Sequence, residues 1–355
     1  MLEYIKAFLL AAAITAVLTP IAIKIAPKIG AMDVPRDERR MHSHPIPRFG
    51  GVGIFIGMVV AILVCVPSTE GLLGASQVRG FLAGAAVIVV VGLIDDLHGL
   101  KPKQKLVGQI LAAIVPCMFS VRIFAVSKFF TEGYFEFPDW FSIIITIIWI
   151  VGITNTINLI DGLDGLAAGV SCISCFAVAY TSYLVGRPET CELVLAIAGA
   201  SFGFLLFNFH PAKIFMGDTG SMLLGYCLAT MSLIGVSSTK GTVLFVSMIP
   251  IIILALPIFD TAFAIIRRVA NHKPIMMADK GHLHHRIMAL GIGQRRAVLA
   301  LYCISAIMGF AGILWTMRMR LQALILAVIA ATLIWVFLGV DPTEQKEEKA
   351  EEKEE

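Results

Sequence analysis

Asn155, Asn158, Asp161 and Asp164 follow one another at intervals of three residues, with Gly162 and Gly165 directly after the two carboxylates. On a helical turn that spacing sets four oxygen-bearing side chains along one gently drifting stripe. They follow Trp140 to Ile153, a run apolar enough for lipid or for a fully buried helix. A charged group at membrane depth costs roughly 2.5–3.5 kcal/mol on insertion scales, so it persists where it lines a polar cavity or binds something. A polar turn between two spans, with Asp as a helix cap, explains one carboxylate. It does not explain four aligned groups beside small residues.

Other polar clusters interrupt the apolar chain in the same manner. One run ends Gly92-Leu93-Ile94-Asp95-Asp96-Leu97-His98, with Lys101, Lys103 and Lys105 following. Adjacent carboxylates repel, and a proton or a cation relieves them. Mg²⁺, which takes carboxylates together with substrate phosphates, suits them best; a Lys-paired helix end is the plainer reading. Further on, Asn208 to Ser221 carries Asp218 ahead of Gly220 at a helix start. That carboxylate is either an N-cap or part of a seat for a metal-bound phosphate. His210 in the same loop reads as structural.

The last loop holds Asp279-Lys280-Gly281-His282-Leu283-His284-His285-Arg286. Three histidines suggest zinc, but no HExxH and no cysteine partner accompanies them. Set among basic residues, they suit a diphosphate better. The first loop, Arg39 to Gly51, is basic and rich in Pro and Gly. Its charges serve topology or anion binding equally well, and its Arg48 stands among them.

These clusters sit in a chain of 355 residues that is 58% hydrophobic and 15% charged. A soluble domain has about a quarter of its residues charged. The composition therefore specifies an integral membrane protein, all-α, with most of its length spent on spans of roughly 20 residues. Apolar runs predict about eleven: Tyr4–Ile25, Gly51–Val66, Gly80–Ile94, Leu106–Ser120, Trp140–Thr154, Leu166–Val185, Leu193–Phe207, Ser221–Val236, Thr242–Ile266, Ala297–Met317 and Leu321–Leu338. Residues 1–340 read as one transmembrane domain, and 341–355 as a charged, disordered cytoplasmic tail without assigned function. Leu2 to Ile23 reads as a retained first span and not a signal peptide, because its positive charges follow it. Seven cysteines are scattered through apolar runs and read as packing residues, Cys172 and Cys175 included.

Of 28 Lys and Arg, 20 fall in the loops after odd-numbered spans and in the tail. The positive-inside rule makes those loops cytoplasmic, with the N-terminus outside and the C-terminus inside. All eight histidines and Asp95, Asp96, Asp161, Asp164 and Asp218 belong to the same set of loops. One face of the protein carries the chemistry. Oxygen ligands for Mg²⁺, cationic donors for phosphate and a lipid setting together indicate phosphoryl chemistry on a membrane lipid.

Read in order, Asp95-Asp96, Asn155-x-x-Asn158-x-x-Asp161-Gly-Leu-Asp164-Gly, Asn208 through Phe-Met-Gly-Asp218-Thr-Gly-Ser and His282-x-His284-His285 resemble the polyprenyl-phosphate N-acetylhexosamine-1-phosphate transferase family, which includes MraY, WecA and TagO. The likeness runs from about Arg36 to Arg286. The His-x-His-His form and eleven spans resemble the WecA/TagO branch; MraY-type members carry three consecutive histidines. The resemblance implies transfer of GlcNAc-1-phosphate from UDP-GlcNAc to undecaprenyl phosphate, releasing UMP, with Mg²⁺ (Mn²⁺ as its substitute). It implies a bacterial inner-membrane enzyme with its site on the cytoplasmic face, no nucleic-acid partner, and a homodimer as an open question.

By matching position, Asp218 and Asn158 are implied as Mg²⁺ contacts. Asp95 or Asp96 is implied to keep the lipid phosphate deprotonated, and Asp164 to read uracil. Lys105 and the histidine loop (His282, His284, His285, Arg286) are implied to grip diphosphate and sugar. Asn155 and Asn208 fall on the substrate-binding motifs, and Asp161 falls in the catalytic set without a defined role. Pro250 and Pro257 should bend span nine, which in the family forms a groove for the prenyl chain. The rivals are MraY-type transfer of phospho-MurNAc-pentapeptide, another UDP-N-acetylhexosamine as donor and, outside the family, an ion-coupled transporter or an intramembrane metalloprotease. A transporter would spread its carboxylates through the midplane.

Overall fold

The computed structural model describes residues 2–34, 44–66, 74–127, 134–234, 249–272 and 282–339. The tail from 341 onward lies outside them, as do residues 36–43 of the first loop, 242–248 of predicted span nine and 278–281 before the histidines. Among the described residues the elements are helices, joined by two short antiparallel hairpins absent from the all-α expectation. The helices are α1 (Leu2–Ile29), α2 (Gly50–Cys65), α3 (Gly74–His98), α4 (Pro102–Met118), α5 (Asp139–Ile160), α6 (Leu166–Leu184) and α7 (Pro188–Asn208). They continue with α8 (Gly217–Ile234), α9 (Ile249–Ile253), α10 (Ala255–Ala270), α11 (Leu283–Ala289), α12 (Gln294–Thr316) and α13 (Arg320–Leu338). Strand β1 (Met32–Asp33) pairs with β2 (Ile46–Pro47), and β3 (Ala125–Ser127) with β4 (Tyr134–Glu136).

Seven of these helices are long and apolar enough to cross a membrane: α1, α3, α5, α6, α7, α12 and α13. The protein is a multi-span membrane protein. The other predicted spans fall on the shorter helices α2, α4 and α8 and on the broken pair α9–α10. That break comes at Leu254, between Pro250 and Pro257. Pro257 has no N–H to give Ile253, which removes one rung of the helix at the break.

Helix α8 is the axis of the bundle. Gly217 and every residue from Thr219 to Ile234 are buried, and only Asp218 is partly open. Lipid tails are as apolar as leucine, so close packing, not exclusion from water, must hold such helices together. Small residues permit it: a Cβ on Gly92 would strike the Thr219 backbone, one on Gly225 the Thr154 backbone, and one on Gly51 the Gly220 backbone. α3, α5 and α2 therefore meet α8 main chain to main chain. Helix α13 lies at the periphery, with Trp335 and Val328 turned outward.

Helix α5 differs from its predicted extent. It runs past Thr154 to Ile160, so Asn155 and Asn158 lie on its last turns. It stops there because Gly162 and Gly165 follow, the latter at φ +80°, a conformation glycine takes without strain. The expected four-residue stripe thus ends after two members. Asp161 is the C-cap and Asp164 lies in the turn to α6.

Candidate active site

Polar residues from the segment before α2 and from α3, α4, α5 and α8 meet at one end of the bundle, where α8 starts. Gly217, at φ +71°, turns the chain into α8, and a Cβ there would collide with the Asp96 carboxylate. Asp96 lies directly under the helix start. Its Oδ1 accepts the Asp218 N–H at 2.8 Å; its Oδ2 accepts the Thr219 N–H at 2.9 Å and the Thr219 hydroxyl at 2.6 Å. α3 thus supplies the N-cap of α8 from outside its sequence. The Asp96 side chain is 1% exposed and also faces Arg48 Nε at 3.1 Å.

Asp218 is the hub. Asn158 donates to its Oδ1 at 2.6 Å, Lys105 bonds the same oxygen, and the Arg48 guanidinium reaches its Oδ2. Lys105 Nζ also stands 3.1 Å from Asp95 Oδ2 and 3.2 Å from Asn158 Oδ1. The other Asp95 oxygen accepts the Leu100 N–H at 2.7 Å. Three carboxylates and two fixed cations therefore share one polar cluster, in which each cation bridges two acids.

Arg48, which the sequence motifs did not single out as a site residue, reaches the cluster because its loop is strapped down. Phe215 N–H donates to Pro47 O at 2.8 Å, Gly50 N–H to Phe215 O at 3.0 Å and Gly51 N–H to Met216 O at 2.9 Å. The signal was present in the prolines and paired glycines of that loop. Its partner segment could not be read from them.

Beside the cluster opens a cavity of about 550 Å³, whose lining includes Arg48, Asp161, Asp164, His210, Gly217 and His285. Among the described residues no hydrogen bond or ion pair reaches the Asp161 carboxylate. Burial, and then the nearby Asp218 carboxylate, push the Asp161 carboxyl up to about 7. Asp164 is half committed: its Oδ2 accepts the Ala212 N–H at 3.1 Å and meets His210 Nδ1 at 2.8 Å, while its Oδ1 has no described partner.

Other expected site residues brace this end without facing the cluster. Asn155 forms a reciprocal amide pair with buried Gln109, at 2.7 and 3.1 Å, which fastens α5 to α4. Asn208, 3% exposed, accepts the Gly165 N–H at 3.0 Å and donates to Ile214 O at 2.9 Å. Asn208→Ala leaves both backbone groups buried and unpaired, a cost of about 2–4 kcal/mol. A fall of several degrees in melting temperature checks it; an unchanged melting temperature would deny Asn208 this bracing role.

The histidine loop divides. His285 lines the cavity, whereas His284 is 3% exposed and packed against Gly162. Burial first, and then His285, push the His284 imidazole down to about 3, so it is neutral and no phosphate-binding cation. Arg286 bonds the Leu338 carbonyl and lies over Phe263. His282 meets Asp260 of α10, a carboxylate that the sequence motifs missed.

Comparison with known proteins places this chain among named relatives. The chain is 40% identical over 313 residues to a Bacillus subtilis (strain 168) protein named "Probable undecaprenyl-phosphate N-acetylglucosaminyl 1-phosphate transferase", covering 88% of this chain and 85% of that protein. The chain belongs to the polyprenyl-phosphate N-acetylhexosamine-1-phosphate transferase family. The family model for glycosyl transferase family 4 matches residues 78–236, which include Asp95, Asn158, Asp161 and Asp218. A Mycobacterium tuberculosis (strain CDC 1551 / Oshkosh) transferase named decaprenyl-phosphate N-acetylglucosaminephosphotransferase is 34% identical over 326 residues, covering 85% of this chain and 80% of its own. A Moorella thermoacetica phospho-N-acetylmuramoyl-pentapeptide-transferase is 30% identical over 331 residues, covering 88% and 98%. In this transferase chain Asp95, Asp96, Asn158 and Asp218 of the family motifs meet where α8 starts.

Proposed function

We propose that this protein transfers N-acetylglucosamine 1-phosphate from UDP-GlcNAc to a polyprenyl phosphate, undecaprenyl phosphate above all, and releases UMP. The observation that carries this reading is the joining of Asp95, Lys105, Asn158, Asp218 and Arg48 beside the cavity. The relatives of this chain named for GlcNAc-phosphate transfer support the same donor. An oxygen of the lipid phosphate forms a bond to the phosphorus attached to the sugar. The bond from that phosphorus to the bridging oxygen breaks, and the electron pair leaves with UMP. Such a transfer needs alignment and charge neutralisation more than covalent help from the protein. Lys105 and Arg48 supply fixed positive charge, and Asp95 or Asp96 would keep an acceptor phosphate deprotonated.

The donor set also fits Mg²⁺. It is all oxygen, and Asp161 is a carboxylate beside Asp218 that no hydrogen bond or ion pair reaches among the described residues. Among the described residues no three His, Cys, Asp or Glu gather as a ready cage; Mg²⁺ characteristically completes its shell with water and substrate phosphates. Asp218 and Asn158 would hold the ion, with Asp161 alongside. When bound, it supplies neutralisation of the diphosphate charge. The excess of Lys and Arg in the odd loops supports a cytoplasmic orientation of this end in a bacterial inner membrane, with eleven crossings. The break at Leu254 supports a bent prenyl groove.

The Moorella relative keeps a second donor in view, UDP-MurNAc-pentapeptide. One assay separates the two: purified protein, Mg²⁺, undecaprenyl phosphate and a panel of UDP-sugars, with UMP measured. Release with UDP-GlcNAc is the expected result. Release with the MurNAc-pentapeptide donor alone moves the protein to that branch, and release with no sugar refutes the proposal.

A further inference from the structure

Helix α11, which carries the histidines, is seven residues long, too short to define its own position. We propose that Asp260 is a positioning residue that seats α11 so that His285 faces the cavity. The proposal rests on reading that cavity as the sugar-nucleotide site. Asp260 lies on α10, flanked by the outward-facing Phe259, and is itself 7% exposed. A carboxylate buried on an apolar helix is costly unless its oxygens are bonded. Both are: Oδ1 accepts the Leu283 N–H at 2.7 Å and Oδ2 meets His282 Nδ1 at 3.1 Å. One side chain therefore caps the first turn of α11 and fixes the orientation of its leading imidazole.

The contact passes onward through stacked rings. His282 lies parallel to His284, with centroids 5.7 Å apart and planes 8° apart. His284 lies 4.3 Å from His285, centroid to centroid, and its other edge abuts Gly162, where a Cβ would have no room. His285 lines the cavity together with Asp161 and Asp164. Asp260 itself does not line it. Its effect on the reaction runs through the position of the histidines, and this separates it from a catalytic residue.

Asp260→Asn keeps the shape and an acceptor for Leu283 but removes the charge that orients His282. The expected result is a roughly tenfold rise in KM for the UDP-sugar, the scale of one lost hydrogen bond to a charged group. KM for the polyprenyl phosphate should not move. His282→Gln should give a similar rise, and the double variant no more than either alone, because one contact is lost in all three. Carbethoxylation of His284 by diethyl pyrocarbonate, read by mass spectrometry without substrate, should increase about tenfold in Asp260→Asn. Unchanged labelling, additive rises, or equal losses toward both substrates would overturn the proposal. A wild-type protein that turns over no UDP-sugar sinks the functional reading instead, and the labelling alone then decides whether Asp260 seats the helix.

Discussion

Asp218→Ala is expected to lower turnover by about three orders of magnitude while the protein stays folded. The figure is that of deleting a preorganised electrostatic group from an active site. The fold should survive because nothing is orphaned by the change. Lys105 retains Asp95 and Asn158, Arg48 retains Asp96, and the capping bonds to the α8 N–H groups come from Asp96. Asp218 is also the one residue of α8 that is not buried. UMP release across a Mg²⁺ titration, beside a melting curve, measures both halves of the expectation. Mg²⁺-dependent turnover persisting in the variant would discard Asp218 as the metal contact.

Asp161→Asn should remove activity to a comparable degree and, unlike Asp218→Ala, should make the metal-free protein more heat-stable. The reason is the raised carboxyl: folded Asp161 holds its proton up to about 7, whereas an unfolded chain releases it near 4. Between those values the folded state binds the extra proton, so stability falls as pH rises. The penalty is complete above about pH 7 and absent near pH 4. Asn carries no such penalty. In chelator, its melting temperature should match that of wild type near pH 4, pull ahead as pH rises through 5 and 6, and exceed it by a few degrees at pH 8. A gap that is constant across pH, or that closes toward pH 8, would show that Asp161 is not held against ionisation.

Most of this site was legible because chemistry and hydropathy conflict in the same places. Asp95, Asp96, Asn158 and Asp218 interrupt apolar runs, and their membership of one set of loops predicted one polar end, which the structure contains. The features that escaped belong to partners far apart in sequence. Arg48 looked like any topology-setting arginine, since its strap to Phe215 is made by main-chain bonds with no side-chain signature. Asp260 sits singly in an apolar helix, and its meaning depends on a histidine 22 residues later. The stripe from Asn155 to Asp164 was read with a single helical geometry that the structure does not keep. Helical spacing holds only while the helix lasts, and Gly162 and Gly165 end it, so the four groups turn to Gln109, Asp218, the cavity and His210.

The tie from Asp164 to His210 and Ala212 has a thermodynamic corollary. It joins the turn after α5 to the loop before α8, so one wall of the cavity exists before any ligand arrives. A guest meeting a finished wall forfeits little ordering entropy from the host. A bare nucleoside monophosphate should therefore dock there measurably by calorimetry, with a small heat-capacity change, even without the sugar or the lipid.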